Sequence, residues 1–173
     1  VGEVMSIGRT FRESIQKAFR SLEVGLDGLE PRGSNDSDPS IKRSRPLDLN
    51  SLRIPTSYRL LKIKEAFKRG ENIERLYELT KIDPWFLYQI KIISSLNEKH
   101  SMKELKVNGF SDVQIGKMMK KSSTEVRSIR LSKGIKPVFK VVDTCAAEFV
   151  AKTPYCDSAY EEYNEISRFE GKK

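Results

Sequence analysis

The sequence has few of the residues that usually build a catalytic or metal centre. It holds one histidine, His100, and two cysteines, Cys145 and Cys156, among 173 residues. A structural zinc site usually takes four nitrogen or sulfur ligands, so we do not expect one here. A disulfide between the cysteines is possible on paper, but without a visible secretory signal we expect thiols. The phosphate-binding pattern G-x-x-x-x-G-K-[ST] is also missing. The sequence therefore predicts no catalytic residues and no metal or cofactor ligands in this chain.

Long apolar runs are missing as well. No stretch approaches the roughly 18 apolar residues that a membrane helix needs, and no basic start followed by an apolar run indicates a signal peptide. The first residue is Val1 rather than Met. We therefore expect a soluble, cytoplasmic piece of a longer polypeptide that makes no contact with a membrane.

Positive charge is abundant but confined to one part of the chain. The formal net charge is +8, and the stretch from Lys99 to Lys140 carries all of it, with eleven Lys and Arg against three Asp and Glu. The ordinary interpretation is a solvated helical surface or one that faces a protein partner. The alternative is a small, basic helix-turn-helix protein, with a motif between Gly109 and Gly134 that binds DNA. Its second helix would then present Arg127, Arg130 and Lys133 to the DNA.

Helix-start signals recur along the chain, and apolar residues at helical spacing follow them. Capping boxes are predicted at three places, namely Thr10 with Glu13, Ser111 with Gln114, and Ser122 with Glu125. Asn72 and Asp83 are further N-cap candidates, and Pro84 suits the first helical position because no amide hydrogen is needed there. With another helix expected over 56–69, these signals predict a mainly α fold with at least five short helices after the one that Thr10 begins.

Three segments lack the helical pattern. The run of Val4, Met5 and Ile7 predicts a strand or a buried extended segment. Residues 25–55 are rich in Gly, Pro, Ser, Asn and Asp, so they should bury little apolar surface and form a loop or a partly disordered stretch. Residues 138–142, with four apolar residues, have a β-like pattern and predict a strand or an extended strap across the helices. The polar end from residue 157 onward is expected to fray.

Two adjacent aromatic residues, Trp85 and Phe86, follow the predicted cap at Asp83. Tryptophan is enriched at interaction hot spots, so the pair could anchor a partner. The interpretation that we favour places both rings in the core, because the cap and Pro84 should aim them inward.

Four blocks of sequence are more specific than composition explains. They are G-E-V-M-S-I-G-R-T-F-R-E-S-I-Q-K-A-F-R from Gly2 to Arg20, L-T-K-I-D-P-W-F-L from Leu79 to Leu87, G-F-S-D-V-Q-I from Gly109 to Ile115, and V-D-T-C-A-A-E-F from Val142 to Phe149, followed by Thr153, Pro154, Tyr155 and Tyr160. In this order they resemble the middle of the large subunit of carbamoyl-phosphate synthetase. The resemblance spans nearly the whole chain.

The resemblance implies a division of the chain into three parts. Residues 1–30 correspond to the end of the first ATP-grasp half, which makes carboxyphosphate and then carbamate. Residues 31–155 correspond to the helical oligomerisation domain, which acts as a structural connector. Residues 156–173 lead into the second half, which makes carbamoyl phosphate. The family's nucleotide, bicarbonate and metal ligands lie outside this piece.

The resemblance also implies what the intact protein does. It is an ATP-dependent ligase that makes carbamoyl phosphate from bicarbonate, ammonia from glutamine, and two ATP, for arginine and pyrimidine synthesis. Its cofactors are ATP and Mg or Mn, with K as a further option. Its partners are the two synthetase halves of the same chain, a second copy through self-association, and a glutamine amidotransferase small subunit, but no nucleic acid. As structural or interface residues it suggests Met5, Thr10, Asp83, Trp85, Phe86, Asp143, Thr144 and Phe149.

Overall fold

The computed structural model describes residues 3–30, 47–149 and 155–166. Within these ranges the chain forms seven α-helices, one 3-10 helix and one two-stranded sheet. Their bounds are α1 Phe11–Ser21, the 3-10 helix Leu49–Arg53, α2 Arg59–Lys68, α3 Ile73–Thr80, α4 Pro84–Ser95, α5 Met102–Val107, α6 Asp112–Met119, α7 Ser123–Ser132, β1 Val138–Val141 and β2 Cys156–Ala159. The prediction of a mainly α fold with a short extended region near the C-terminal end is confirmed.

The predicted helix caps are present with one change. The capping boxes at Ser111 and Ser122 are complete, because each serine side chain accepts from the N3 amide and the N3 side chain accepts in return. Asn72 and Asp83 also cap their helices through their side chains. Thr10 accepts from the amide of Glu13 at 3.2 Å, but the Glu13 carboxylate accepts from the amide of Arg9 at 2.9 Å instead of the amide of Thr10. The hydrogen bond between Glu13 and Arg9 connects α1 to the segment that precedes it.

Helix α5 is an element that the sequence patterns did not single out. It has only six residues, but Ser101 caps it by accepting from the amide of Glu104 at 3.1 Å. The spacing S-x-x-E is a capping-box signal, so this helix start was present in the sequence. A helix of six residues is too short to be stable alone, so the burial of Met102 and Leu105 is what stabilises it.

The core lies between α2, α3 and α4, with α6 packed on α7 beside it. On α4, Leu87, Ile90 and Ile93 are almost fully buried, and their spacing of three residues puts them along one side of the helix. On α2 and α3 the corresponding residues are Ile63 and Leu76, neither of which is exposed to solvent. One contiguous apolar cluster therefore holds the helices together.

The expectation for residues 25–55 is wrong in the parts that the structure describes, while residues 31–46 lie outside them. Leu29 and Leu52 are completely buried, and the 3-10 helix over Leu49–Arg53 packs on α2 and α3. The amide of Leu29 donates to the buried Gln16 side chain at 2.7 Å. Single leucines between turn-forming residues form no periodic pattern. Neither the spacing nor the composition of this segment therefore predicts that they are buried in the core.

The chain ends also differ from expectation. Val4, Met5 and Ile7 form no strand and are exposed, Met5 to 85%. At the other end, β1 pairs antiparallel with β2, so that Val138 lies opposite Ala159. Because Asp157 and Ala159 are buried, the prediction of a frayed tail is wrong over residues 157–166, while residues 167–173 lie outside the described ranges. A polar tail is ordered here by ion pairs that are formed with residues far away in sequence.

Gly109 is a point of close approach between α1 and the loop that follows α5. Its φ of +83° lies in the left-handed region, and a Cβ atom there would be 2.9 Å from both Glu13 Cα and Gln16 Cβ. Gly70 and Gly134 also have positive φ, at +95° and +71°, but a Cβ atom on either would meet nothing within 4 Å. All three glycines have a positive φ, but only at Gly109 would an added Cβ atom lie too close to other atoms.

We predict that Gly109→Ala destabilises the chain more than Gly70→Ala or Gly134→Ala. All three substitutions place a Cβ in the left-handed region, which costs about 1–2 kcal/mol. Gly109→Ala should lose roughly 1–3 kcal/mol more, because the new methyl group overlaps the backbone of α1. Urea unfolding of the three variants measures the difference. Equal losses in all three would show that α1 does not press on Gly109.

Candidate functional site

The two ends of the described chain meet on α1, and Lys17 joins them. Its ammonium lies 2.6 Å from the carboxylate of Asp157 on β2 and 2.9 Å from that of Glu13. It also donates to the backbone carbonyls of Ile7, at 3.0 Å, and Ser158, at 2.8 Å. One side chain on α1 therefore binds both the segment before the helix and the strand near the C-terminal end. We call this meeting point the junction.

Further ion pairs extend the junction. Arg9 lies 3.4 Å from a carboxylate oxygen of Glu161 and 3.8 Å from one of Glu165. The same two carboxylates flank Lys140 of β1 at 3.2 and 3.3 Å, and the ring of Tyr163 lies 3.4 Å from the Lys140 ammonium. The carboxylate of Glu165 also accepts from the amide of Val141. The acidic residues of the tail thus bind cations from both ends of the chain.

A cleft of about 530 Å³ opens beside the junction, between the N-terminal segment and the sheet. Its rim carries the exposed apolar side chains of Met5, Ile7 and Phe139. Asp157 lies in its wall, and the second carboxylate oxygen of this residue is buried without a hydrogen-bond partner among the described residues. The cleft combines apolar surface with an unused acceptor, as expected of a surface that another segment covers.

A second polar cluster links α5, α6 and α7. Asp112 lies 2.9 Å from both Lys106 and Arg130, and the Tyr160 ring lies 4.9 Å from the Lys106 ammonium. Burial opposes the charge on Asp112, but hydrogen bonds from Lys106 and Arg130 outweigh it and lower the pKa of this carboxyl. Burial also lowers the pKa of Lys106.

This cluster corrects the interpretation of the basic stretch as a DNA-binding surface. Arg130 is buried, since only 6% of it is exposed, and its guanidinium binds Asp112 and the carbonyl of Ile135. It cannot face a DNA groove. Arg127 on α7 and Lys133 just after it are exposed, but together they do not form the recognition surface that the alternative required.

Lys64 is a buried cation in the core. Its ammonium donates to the carbonyl of Leu29 at 2.8 Å and to the carboxylate of Glu30 at 2.6 Å, and it lies 6.0 Å from the centre of the Phe110 ring. Burial lowers the pKa of Lys64 to about 8, although Glu30 partly opposes the shift. Lys64 thereby fastens the segment after Gly28 to helix α2.

The prediction that Trp85 and Phe86 are core residues is wrong. Trp85 is 53% exposed and Phe86 is 41% exposed, and both pack edge-to-face against Phe11 of α1, with ring centroids 5.6 and 5.1 Å away. Successive helical residues turn by about 100°, so Trp85 lies roughly 200° around α4 from the buried Leu87. Tyr88 is also exposed, to 52%. These four aromatic residues form what we call the aromatic patch.

The other residues suggested by the resemblance have local roles in the structure. Thr10 and Asp83 cap α1 and α4, the two helices that carry the aromatic patch. Asp143 accepts from the amides of Cys145, at 2.9 Å, and Ala147, at 2.7 Å, and so orders a turn. Thr144 lies in this turn, whereas Met5 and Phe149 are exposed, the latter to 67%. An interface role for these residues stays a prediction.

The sequence patterns missed Arg9, Lys17 and Asp157, which build the junction. Lys17 and Asp157 are separated by 140 residues, so no local spacing indicates that they meet. Cys145 and Cys156, both within the described ranges, are not joined in a disulfide. Residues 3–30, 47–149 and 155–166 contain no cluster of three or more His, Cys, Asp or Glu suited to a metal ion. None of the helices in these ranges has the length and apolar character of a membrane span.

The fold and the junction define a class of protein, namely a small helical domain in which the segments near its two described ends are bound to each other. A family model described as the oligomerisation domain of the carbamoyl-phosphate synthetase large chain matches residues 3–134. The chain belongs to this family. The resemblance noted in the sequence is therefore confirmed.

Curated relatives agree with the family match. The chain is 43% identical over 188 residues to the carbamoyl phosphate synthase large chain of Archaeoglobus fulgidus, covering 100% of this chain and 17% of that protein. It is 46% identical over 170 residues to the "large chain, N-terminal section" of Aquifex aeolicus, covering 93% and 29%. For the large chain of Pseudomonas aeruginosa the identity is 41%, with 94% and 16% covered. The chain thus spans less than a third of the length of these relatives.

We predict that Trp85→Ala costs little stability. Its ring is half exposed, so the loss should be smaller than the roughly 3–5 kcal/mol that truncation of a buried Trp costs. Leu87→Ala is the matched core variant on the same helix and should cost roughly 2–5 kcal/mol. Urea unfolding followed by circular dichroism compares the two. A larger loss for Trp85→Ala than for Leu87→Ala would place Trp85 in the core after all.

The pKa of Lys64 predicts how stability changes with pH. Between pH 8 and 10.5 the unfolded chain holds a proton on Lys64 that the folded chain has lost, so the Lys64 contribution makes folding more favourable as pH rises. The gain across this window is about 3 kcal/mol. Lys64→Met should remove it.

The test compares the unfolding free energies of wild type and Lys64→Met at several pH values from 7 to 10.5. The difference between the two proteins cancels the titration of tyrosines and of other lysines. A difference that is constant across this range would show that Lys64 keeps an ordinary pKa in the folded chain.

Proposed function

We propose that this chain is the central connector of a carbamoyl-phosphate synthetase large chain. In this proposal residues 1–30 end the first ATP-grasp half, residues 31–155 form the oligomerisation domain, and residues 156–173 lead into the second half. The connector holds the two halves in a fixed relative position and offers a surface for self-association. It performs no chemistry itself.

The proposal for the intact protein extends what the resemblance to this family implies. The whole large chain is an ATP-dependent ligase that works with a glutamine amidotransferase small subunit in the cytoplasm. It makes carbamoyl phosphate from bicarbonate, ammonia from glutamine and two ATP, with Mg or Mn and with K as a further option, for arginine and pyrimidine synthesis. Nucleotide and metal would bind in the synthetase halves and not to the residues of this chain.

The junction is the observation that supports the connector role most directly. If polypeptide continues from both ends, Lys17 and Arg9 determine where it leaves the helical body, because they bind residues 7, 157, 158, 161 and 165. A carbamate made in one half must reach the other half before water destroys it. Rigid placement of the two halves shortens that passage, and a small misplacement would reduce the transfer.

The surface charge is consistent with this role. The basic residues between Lys99 and Lys140 include members of internal ion pairs, such as Lys106 and Arg130, and others that are exposed on α6 and α7. The first group serves the internal packing of α5, α6 and α7, and a solvated or protein-facing surface accounts for the second. No arrangement in the described residues favours the DNA-binding function.

We predict that Lys17→Met separates the two chain ends. Without the ammonium, Asp157 and Glu13 lose their cation, and the carbonyls of Ile7 and Ser158 lose a donor. Hydrogen exchange at residues 3–9 and 155–166 should accelerate by about 10-fold or more, while α2 and α4 keep their protection. In the intact large chain, carbamoyl phosphate formation should fall about 10-fold, whereas bicarbonate-dependent ATP hydrolysis by the first half should persist.

Arg75→Met is the matched control, because it removes a cation from an exposed pair with Glu78 on α3. It should change neither measurement. Unchanged product formation by the Lys17→Met large chain, together with faster exchange at both ends, would argue against a role of the junction in coupling the halves.

A further inference from the structure

We infer that the pocket between α1, the start of α6 and the end of β2 binds a small oxyanion, that is, a carboxylate or a phosphate group. Arg20 and Tyr160 are the residues that hold it. This inference goes beyond the proposed function and does not depend on it. The same chemistry recognises a free anion in solution and an acidic side chain of another polypeptide segment.

The pocket is small and has charged walls. Its volume is about 280 Å³, and it adjoins the cleft, because Lys17, Arg20 and Ser158 line both. This is below the roughly 300–1,000 Å³ of pockets for drug-sized ligands, so it suits a group of few atoms. Glu13 and Lys106 in its wall are only 5% and 7% exposed, so packing holds these charged side chains in place.

The formal charges in the wall leave one positive charge in excess. Three cations line the pocket, namely Lys17, Arg20 and Lys106, against the two carboxylates of Glu13 and Asp112. Pairs with residues behind the wall do not alter this excess, because Lys17 has a further carboxylate partner on β2 and Asp112 has a further cation partner on α7. One anionic group would therefore balance the charge of the pocket.

Arg20 is the cation of the wall that has no carboxylate partner. Its guanidinium donates to the carbonyl of Gly109 at 2.8 Å, and it forms no other hydrogen bond and no ion pair with the described residues. The two other cations each lie 2.9 Å from a carboxylate. Burial lowers the pKa of Arg20, although Glu13 opposes the shift. An oxyanion stabilises such a guanidinium, because it accepts two parallel hydrogen bonds from the planar group.

Tyr160 supplies a hydroxyl donor to the same pocket. Its ring lies 4.9 Å from the Lys106 ammonium and 5.9 Å from the Arg130 guanidinium, and these two cations hold it in place. The hydroxyl makes no hydrogen bond with any residue that the structure describes. Burial raises the pKa of Tyr160, so the hydroxyl keeps its proton and can donate it to an acceptor. The charge of Arg20 also acts on this hydroxyl, so the two donors lie close together.

The test titrates the isotope-labelled chain with inorganic phosphate and, separately, with acetate, while NMR follows the amide resonances of residues 109–113 in the pocket wall. Sodium chloride at equal ionic strength is the reference titration. We expect at least one oxyanion to give a saturable shift with a dissociation constant in the millimolar range, and chloride to give none. Arg20→Gln should weaken this binding by about 10-fold or more, because it removes the charged donor.

Tyr160→Phe is the second variant, and it should weaken binding by about 3-fold or more through loss of one hydrogen bond. It keeps the ring beside Lys106 and Arg130, so it tests the pocket even if Arg20→Gln does not fold. Arg53→Gln is the matched control, because it removes an exposed guanidinium from the 3-10 helix, outside the pocket, and it should leave the affinity unchanged. Circular dichroism checks the fold of each variant.

A crystal structure of the intact large chain grown in phosphate distinguishes the two sources. A phosphate on Arg20 would assign the site to a free anion, and a carboxylate side chain on Arg20 would assign it to another segment of the protein. Neither group on Arg20 would reduce the titration to an adventitious ion only and overturn the inference. Equal shifts with chloride, or full affinity in the folded Arg20→Gln and Tyr160→Phe variants, would also overturn it.

Discussion

The attachment of α1 to both chain ends through one ammonium group is the constraint on which the arrangement depends. Lys17 binds the carbonyl of Ile7 before the helix and the carboxylate of Asp157 on β2. Without it, the N-terminal segment and the sheet would be connected chiefly through the more exposed contacts of Arg9. A partly buried cation that binds several oxygens fixes both the orientation and the separation of the segments that carry them, because each hydrogen bond weakens when its geometry changes. This is the property that a connector needs.

Buried polar groups recur where an irregular segment joins the helices and where three of the helices meet one another. The Gln16 side chain accepts a hydrogen bond from the amide of Leu29, and Lys64 forms an ion pair with Glu30. Asp112 forms ion pairs with Lys106 and Arg130. Desolvation makes such groups poor sources of net stability, and the apolar cluster of α2, α3 and α4 supplies that. Their effect here is to allow one placement of each segment, since any other would leave a buried charge or amide unpaired.

The helices themselves were largely predictable. Ser111, Ser122, Asn72 and Asp83 cap their helices as their local sequences indicate, because a cap is an interaction over two or three residues. The prediction for Trp85 and Phe86 failed because a cap determines where a helix begins and not which side faces the core. That side depends on what packs against α4, and α1 covers the rings only in part. The polar tail was misjudged for a related reason, since its order comes from Lys17, Arg9 and Lys140.

The sequence by itself determined the helical class, most of the helix starts and, through four specific blocks, the family to which the chain belongs. The helical class and the helix starts depend on apolar spacing and on hydrogen bonds within one turn, both of which are local. Only the tertiary structure decided that Lys17 meets Asp157, that Gly109 lies against α1, and that Trp85 faces solvent. Each of these results from contacts between residues that are distant in sequence. Such contacts are selected by the packing of the whole chain, and no short pattern encodes them.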